Sequence, residues 1–429
     1  MIVRKTEREI LLSRYQSNQS ELVVVYGRRR IGKTYLINNV FEGRFFFCFT
    51  GLVNSNKKET LHEFTRELKE RGLKDVPAVD SWFDAFAQLR RLVEQAPETA
   101  EKKVIFLDEM PWMDTHKSRF LAAFEYFFNG WASSRKDILL IVCGSMTSWI
   151  IKKILFNKGG LYNRATCLMK LKPFTLAECA QFYQSKGISL SAADQLESYM
   201  VFGGVPYYHN LLEPKFSLAG NIDQICFGEN AKLVSEFERL FSTMFIHNQV
   251  YIQVIETLYK KKKGLTRAEL ITAAKLTNGG ALTTILKDLE DCDFIRSYRP
   301  FNNKKQNTLY QLYDPFLLFH LNFLADRQQT GSFWSIFTQT PAHNAWSGYA
   351  FEMLCLHHLP QIQKALGISG VITKYCSWYG KYGKNSAQID LVLDRADNVI
   401  NICEMKFTPA EFELTKAEQE KLVQRRELF

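Results

Sequence analysis

No C-x-x-C pair occurs anywhere in these 429 residues, and no histidine stands at zinc-ligand spacing. That excludes the common structural zinc motifs and a thioredoxin-like redox motif. The nine cysteines, an odd number scattered from Cys48 to Cys403, read as buried thiols of a reducing compartment. No stretch of ~20 apolar residues is present, so no membrane-spanning helix is expected. The opening segment MIVRKTEREILLSRY is charged throughout and lacks an apolar core, unlike a secretory signal. Repeats and low-complexity tracts are missing as well. These absences predict a cytoplasmic, globular chain with no membrane partner.

What is there fits several packed cores: 46% of the residues are hydrophobic, and the length predicts two to four domains. The 55 basic and 45 acidic residues leave a net charge of +10. Such an excess permits nucleotide or nucleic-acid partners without requiring them.

The segment VVVYGRRRIGKTYLI, residues 23–37, passes from an apolar run through a glycine-framed basic loop into a helical pattern. Gly27, Gly32, Lys33 and Thr34 fall in the fixed positions of G-x-x-x-x-G-K-[ST], the pattern of a phosphate-binding loop. The glycines let successive N–H groups point into one concavity, and the following helix adds its N-terminal partial charge. The expected ligand is ATP, contacted by the loop residues Gly27, Arg28, Arg29, Arg30, Ile31 and Gly32 and by Lys33, Thr34 and Tyr35. Lys33 is expected at the β- and γ-phosphates, and Thr34 at a Mg²⁺ ion. For the three arginines, a solvated basic loop competes with direct phosphate contact.

A phosphate loop needs an acidic strand to hold the metal. In KKVIFLDEMPWM, Val104, Ile105, Phe106 and Leu107 lead into Asp108, the metal ligand, and Glu109, which would polarise the attacking water. A third strand, DILLIVCGSMTSWI, ends at Gly144 and Ser145. Ser145 is expected beside the γ-phosphate, against the alternative of a helix cap. Arg164, in GGLYNRATCLMKLKPFT, is a candidate phosphate contact or a surface arginine.

Together, YGRRRIGKT, FLDEMPW, CGS, LYNRA, LKPFT and GGVPYYHNLL resemble a family of prokaryotic ATPases catalogued mainly in archaea and abundant in Bacteroidetes, relatives of the AAA+ and STAND ATPases. The resemblance implies a parallel-sheet nucleotide domain followed by a helical lid. It also implies a G-x-P element near the base, matched by Gly204 and Pro206. A related N-terminal segment packs by the adenine; here IVRKTEREI keeps Arg4 and Glu7 but has Val3 in place of a glycine.

After residue 250, three short apolar-periodic helices follow one another, with Thr266 and Glu269 spaced as a capping box and Gly279 and Gly280 before the third helix. FIRSYRPFNNKKQNTLYQL then alternates around a polar turn, as a wing does. One reading is DNA docking by Thr283, Thr284 and Lys287, with Lys260, Lys261, Lys262, Lys263, Lys304 and Lys305 on phosphates. The other is a winged helix used as a packing module.

At the C-terminal end, AWSGYAFEMLCLHHL carries Glu352, SAQIDLVLDR carries Asp390, and NVINICEMKF carries Glu404 and Lys406. This order resembles the PD-(D/E)xK nuclease core. Residues two apart on a strand share a face, so Glu404 and Lys406 are expected to project together. Asp390 and Glu404 would make a Mg²⁺ site completed by Glu352, and Lys406 would orient the nucleophile or neutralise charge. The chain then runs through a helix to Phe429, without the further strand that the family usually carries, which would leave an exposed edge.

The fold class expected is α/β: a P-loop ATPase core over residues 1–165, a helical lid over 166–245, a winged helix over 246–325, and a restriction-endonuclease-like domain, shortened at its end, over 326–429. The expected function is an AAA+/STAND-like ATPase that couples Mg-ATP to a DNA-directed, nuclease-like domain. The competing function is a regulatory switch whose nuclease-like domain binds protein or DNA without cutting. ATP, DNA and further copies of the chain are the expected partners.

Overall fold

Five parallel strands, in the order β2-β3-β4-β1-β5, form the centre of the first of two structural units, Met1–Lys172 and Pro173–Phe429. They are β1 (Glu21–Tyr26), β2 (Phe45–Thr50), β3 (Lys103–Asp108), β4 (Ile138–Gly144) and β5 (Cys167–Lys170). This computed structural model describes residues 3–98, 101–155, 160–161, 163–245, 247–302, 307–326, 331–382, 385–408 and 411–429. The wing lysines Lys304 and Lys305 lie outside the described residues.

β1 and β4 are continuous apolar runs because both faces of the sheet are covered, the pattern parallel sheets impose. On one face, Val23, Val25, Ile141 and Cys143 pack with Leu36 and Ile37 of the helix Lys33–Val40. On the other, Leu22, Val24, Leu107 and Val142 meet an aromatic layer that includes Phe64, Trp82, Phe86 and Phe120. Trp82 stands 4.8 Å from Phe120, ring to ring, in an edge arrangement. β1 lies between β4 and β5, and its carboxyl end opens into the glycine loop. A crevice at that end is where open α/β sheets place ligands.

The second unit begins with helices over Leu176–Ser185, Ala192–Phe202 and Pro206–His209. Gly204 is required there by close approach: a Cβ would lie 1.9 Å from the carbonyl oxygen of Phe174, whose N–H donates to the Gly204 carbonyl at 2.6 Å. Pro206 opens its helix at a position where the missing N–H costs nothing. His209 is fully buried, its Nδ1 2.7 Å from the Tyr183 hydroxyl. Burial pushes the imidazole down to about 4, so it is neutral at pH 7.

After the helices Leu218–Ile222 and Glu236–Met244 come three more, Asn248–Tyr259, Arg267–Ala274 and Gly280–Asp291. Thr266 and Glu269 form the expected capping box. The helices join an antiparallel sheet in the order β6-β8-β7, of β6 (Leu265–Thr266), β7 (Ile295–Tyr298) and β8 (Leu309–Leu312). On the third helix, Leu282, Leu286 and Leu289 are buried while Thr283, Thr284 and Lys287 are exposed.

The C-terminal part places the helix Pro341–His357 before a second antiparallel sheet, β11-β10-β9, and the helix Lys416–Leu428 after it. Its strands are β9 (Thr373–Tyr382), β10 (Asn385–Arg395) and β11 (Ile400–Cys403). β11 is an edge strand, with Ile400 and Ile402 exposed. The hairpin segment after β7 is bonded to this sheet: the Phe301 N–H donates to the Ser377 carbonyl at 2.9 Å. Phe429 packs against both Phe301 and Trp378.

Candidate functional site

The loop after β1 curls through three positive φ angles, Gly27 at 143°, Arg30 at 71° and Gly32 at 86°. Alternation of this kind turns backbone N–H groups inward and builds an anion-binding concavity. Gly27 cannot carry a side chain, since a Cβ would lie 2.5 Å from the Leu171 carbonyl oxygen. Lys33 starts the following helix with its side chain buried, and Nζ donates to the carbonyls of Gly27 at 2.9 Å and Arg28 at 3.1 Å. The amine is therefore held inside the curl.

Parallel pairing of β1 with β4, and of β4 with β3, brings the acidic strand to the same crevice. There the Thr34 Oγ1 donates to Asp108 Oδ2 at 2.9 Å. A hydroxyl and a buried carboxylate at this separation are hard oxygen donors and fit a Mg²⁺ ion. Burial raises the Asp108 carboxyl above the usual range, opposed by hydrogen bonds from Cys143 and Thr34. Such a carboxylate gains from a cation that would offset its desolvation.

Glu109 adopts a left-handed backbone at φ 47°, which aims its side chain toward the end of β4. Its carboxylate accepts from Ser145 twice, from the hydroxyl at 2.8 Å and from the backbone N–H at 3.1 Å. Thr34, Asp108, Cys143, Glu109 and Ser145 thus form one hydrogen-bonded group, which begins beside Lys33 in the chain. Two of its links could not be read from sequence spacing, the Glu109–Ser145 pair and the thiol of Cys143 donating to Asp108 Oδ1.

The remaining loop residues are placed differently. Arg28 and Ile31 are buried, Arg29 and Arg30 are partly covered, and Tyr35 is 65% exposed on the outer face of the helix. Arg164 is exposed on the turn before β5. Arg4 is buried, and its guanidinium donates to the Lys172 carbonyl at 2.6 Å and to Glu7 at 3.2 Å. Pro206 belongs to the second unit.

In the second unit, Glu352 and Asp390 line a cavity of about 460 Å³ that also contains Lys262, Lys263 and Arg296. Burial, with the nearby Asp390 charge, pushes the Glu352 carboxyl up to about 7. The expected alternation of Glu404 and Lys406 on a strand does not hold, because β11 ends at Cys403. Glu404 is instead ion-paired with Arg425, and Lys406 Nζ lies 2.6 Å from Glu418 Oε1. Among the described residues no group of three or more His, Cys, Asp or Glu is arranged to hold a metal ion.

A parallel sheet whose first strand feeds a glycine-framed lysine loop, with an Asp–Glu pair at the end of the strand one removed from it, is the architecture of a P-loop ATPase. Residues 2–212 match the model of a family described as an ATPase domain predominantly from Archaea. The match spans the first unit and the start of the second, just under half of the chain. An uncharacterized protein of Methanocaldococcus jannaschii is 25% identical over 394 residues, 91% of this chain and 83% of the relative. An uncharacterized ATP-binding protein of the same organism is 44% identical over 41 residues, 10% of this chain and 70% of that protein. Among solved structures, the Walker-type ATPase of Pyrococcus abyssi shares the fold, with a TM-score of 0.52 at 16% identity over 75% of this chain and 96% of that one.

Proposed function

We propose that the chain hydrolyses Mg-ATP at the first unit and uses the nucleotide state to govern a DNA-directed, nuclease-like C-terminal part. The observation that carries the ATP half is the Thr34–Asp108 hydrogen bond, which joins the phosphate loop to the acidic strand. In this reading Lys33 neutralises the β- and γ-phosphates, Glu109 takes the proton of the attacking water, and Ser145 orients Glu109. Thr34 and Asp108 would hold a Mg²⁺ ion, which when bound would supply further charge neutralisation on the phosphate oxygens. Loop arginines and Tyr35 complete the nucleotide contacts. Exposed Arg164 serves a phosphate from outside its own unit, in a homo-oligomer.

The module boundaries proposed are those of the sequence: ATPase core to residue 165, lid to 245, winged helix to 325 and nuclease-like domain beyond. Support for the last two comes from the helix–helix–helix–hairpin order and from the helix–three-strand–helix order carrying Glu352 and Asp390. A specific observation favours a second reading, a switch that binds DNA or protein without cutting: Glu404 and Lys406 are both committed to the helix Lys416–Leu428. Incubating the full chain with DNA substrates, Mg²⁺ or Mn²⁺, and ATP separates the readings. Cleavage lost in Asp390→Asn supports the first, and binding without cleavage supports the second.

A further inference from the structure

The sequence places basic residues 260–263 and the C-terminal carboxylates about a hundred residues apart, as two separate DNA-directed features. The second unit brings them to one cavity of about 460 Å³. Lys262 and Lys263 are exposed at this cavity, and Glu352 and Asp390 line it as well. The lysines are stationed on aromatic rings, Lys262 Nζ 4.8 Å from the centre of Tyr349 and Lys263 Nζ 5.3 Å from that of Tyr379. Cation–π seating positions an ammonium without neutralising it. The turn that presents them is fixed from three sides, with the Lys262 carbonyl accepting from Tyr349 and Gln311 and the Lys263 carbonyl from Tyr298.

Arg296 adds a third cation. Its Nε donates to Gln311 Oε1 at 2.7 Å, a neutral acceptor, and its guanidinium stacks on Tyr298. Burial holds it below its ordinary value, so an anionic occupant would relieve a desolvated charge. Tyr298 and Trp378 supply aromatic surface to the same cavity.

We propose that this cavity is a composite pocket for one nucleotide of single-stranded DNA, with Lys262, Lys263 and Arg296 holding phosphate and the aromatic wall receiving a base. The inference rests on the nuclease-like reading of the C-terminal part and assigns its substrate. Size argues for a single strand: the volume is that of a small-molecule site, not of a groove that admits a duplex. Basic residues interleaved with aromatics are the chemistry of single-strand recognition. Lys260 and Lys261 continue the exposed basic run, which suits a strand longer than one free nucleotide.

The test is fluorescence anisotropy of the full chain with a labelled eight-nucleotide oligothymidine, a blunt hairpin duplex and unlabelled thymidine monophosphate, in EDTA and without ATP. The single strand should bind at least about ten-fold more tightly than the duplex or the mononucleotide. The double variant Lys262→Gln, Lys263→Gln should weaken it about ten-fold or more and flatten its salt dependence. Arg296→Gln, checked for native circular dichroism, should do the same. Asp390→Asn should keep this binding or tighten it. Duplex or mononucleotide bound as tightly as the strand, or single-strand affinity untouched in the lysine double variant, overturns the proposal. Binding with all these dependences but no cleavage in Mg²⁺ leaves the pocket standing and removes the cutting function. Cleavage that persists while the lysine variant binds normally removes the pocket alone.

Discussion

Ser145 grips the carboxylate of Glu109 with both its hydroxyl and its backbone N–H, at 2.8 and 3.1 Å. The residue that follows β4 therefore positions the residue assigned to polarise water. Ser145→Ala removes the hydroxyl and keeps the N–H. ATP affinity should stay within about three-fold while kcat falls about ten-fold or more, because the lost contact positions the base and leaves the phosphate contacts intact. A change confined to KM would assign Ser145 to ground-state binding.

Glu352 gives a pH dependence. Its carboxyl is raised from 4.5 to about 7 by burial first and by Asp390 second. Between these values the unfolded chain has lost a proton that the folded chain keeps, so stability falls as pH rises through this window and the penalty is complete above pH 7. Glu352→Gln should match the parent below about pH 4.5 and exceed it by on the order of 1–3 kcal/mol at pH 8. Denaturant titrations at both ends of the window measure this. A constant difference would contradict the assignment.

Gly204→Ala tests the packing of the second unit. A methyl group 1.9 Å from the Phe174 carbonyl oxygen forces the backbone of two segments apart. The expected loss is about 3 kcal/mol or more, read from thermal or chemical denaturation. Gly279→Ala, with no atom within 4 Å of its Cβ, is the matched control.

Much of the candidate site was legible because parallel strands are continuous apolar runs and the glycine loop has fixed spacing. Tyr26, Leu107 and Cys143 mark strand ends in the sequence, and their strands meet at one crevice. The Cys143–Asp108 contact was not legible, since it depends on β3 and β4 being neighbours. At the C-terminal end, alternation placed Glu404 and Lys406 on one strand face, but β11 stops at Cys403 and side chains of the last helix capture both residues. The meeting of Lys262 with Glu352 in one cavity is a tertiary relationship that periodicity does not encode.

Arg425 bears on whether the carboxylates can serve a metal. In Arg425→Gln, Glu404 loses its ion-pair partner. If Glu404 belongs with Asp390 in a cation site, calorimetry should find Mn²⁺ bound several-fold more tightly than by the parent chain, and Asp390→Ala should abolish the gain. Equal binding by the parent and Arg425→Gln would leave Glu404 a structural residue.

The central claim, that the first unit is a working ATPase built on Lys33, Asp108 and Glu109, is tested most directly by ATP binding and steady-state hydrolysis in Lys33→Ala and Glu109→Gln. The account predicts that Lys33→Ala loses nucleotide affinity or turnover, since the amine held inside the curl is the charge assigned to the β- and γ-phosphates. Glu109→Gln should bind ATP as the parent does and turn over more slowly by about a hundred-fold or more. Hydrolysis at the parental rate in both variants would contradict it.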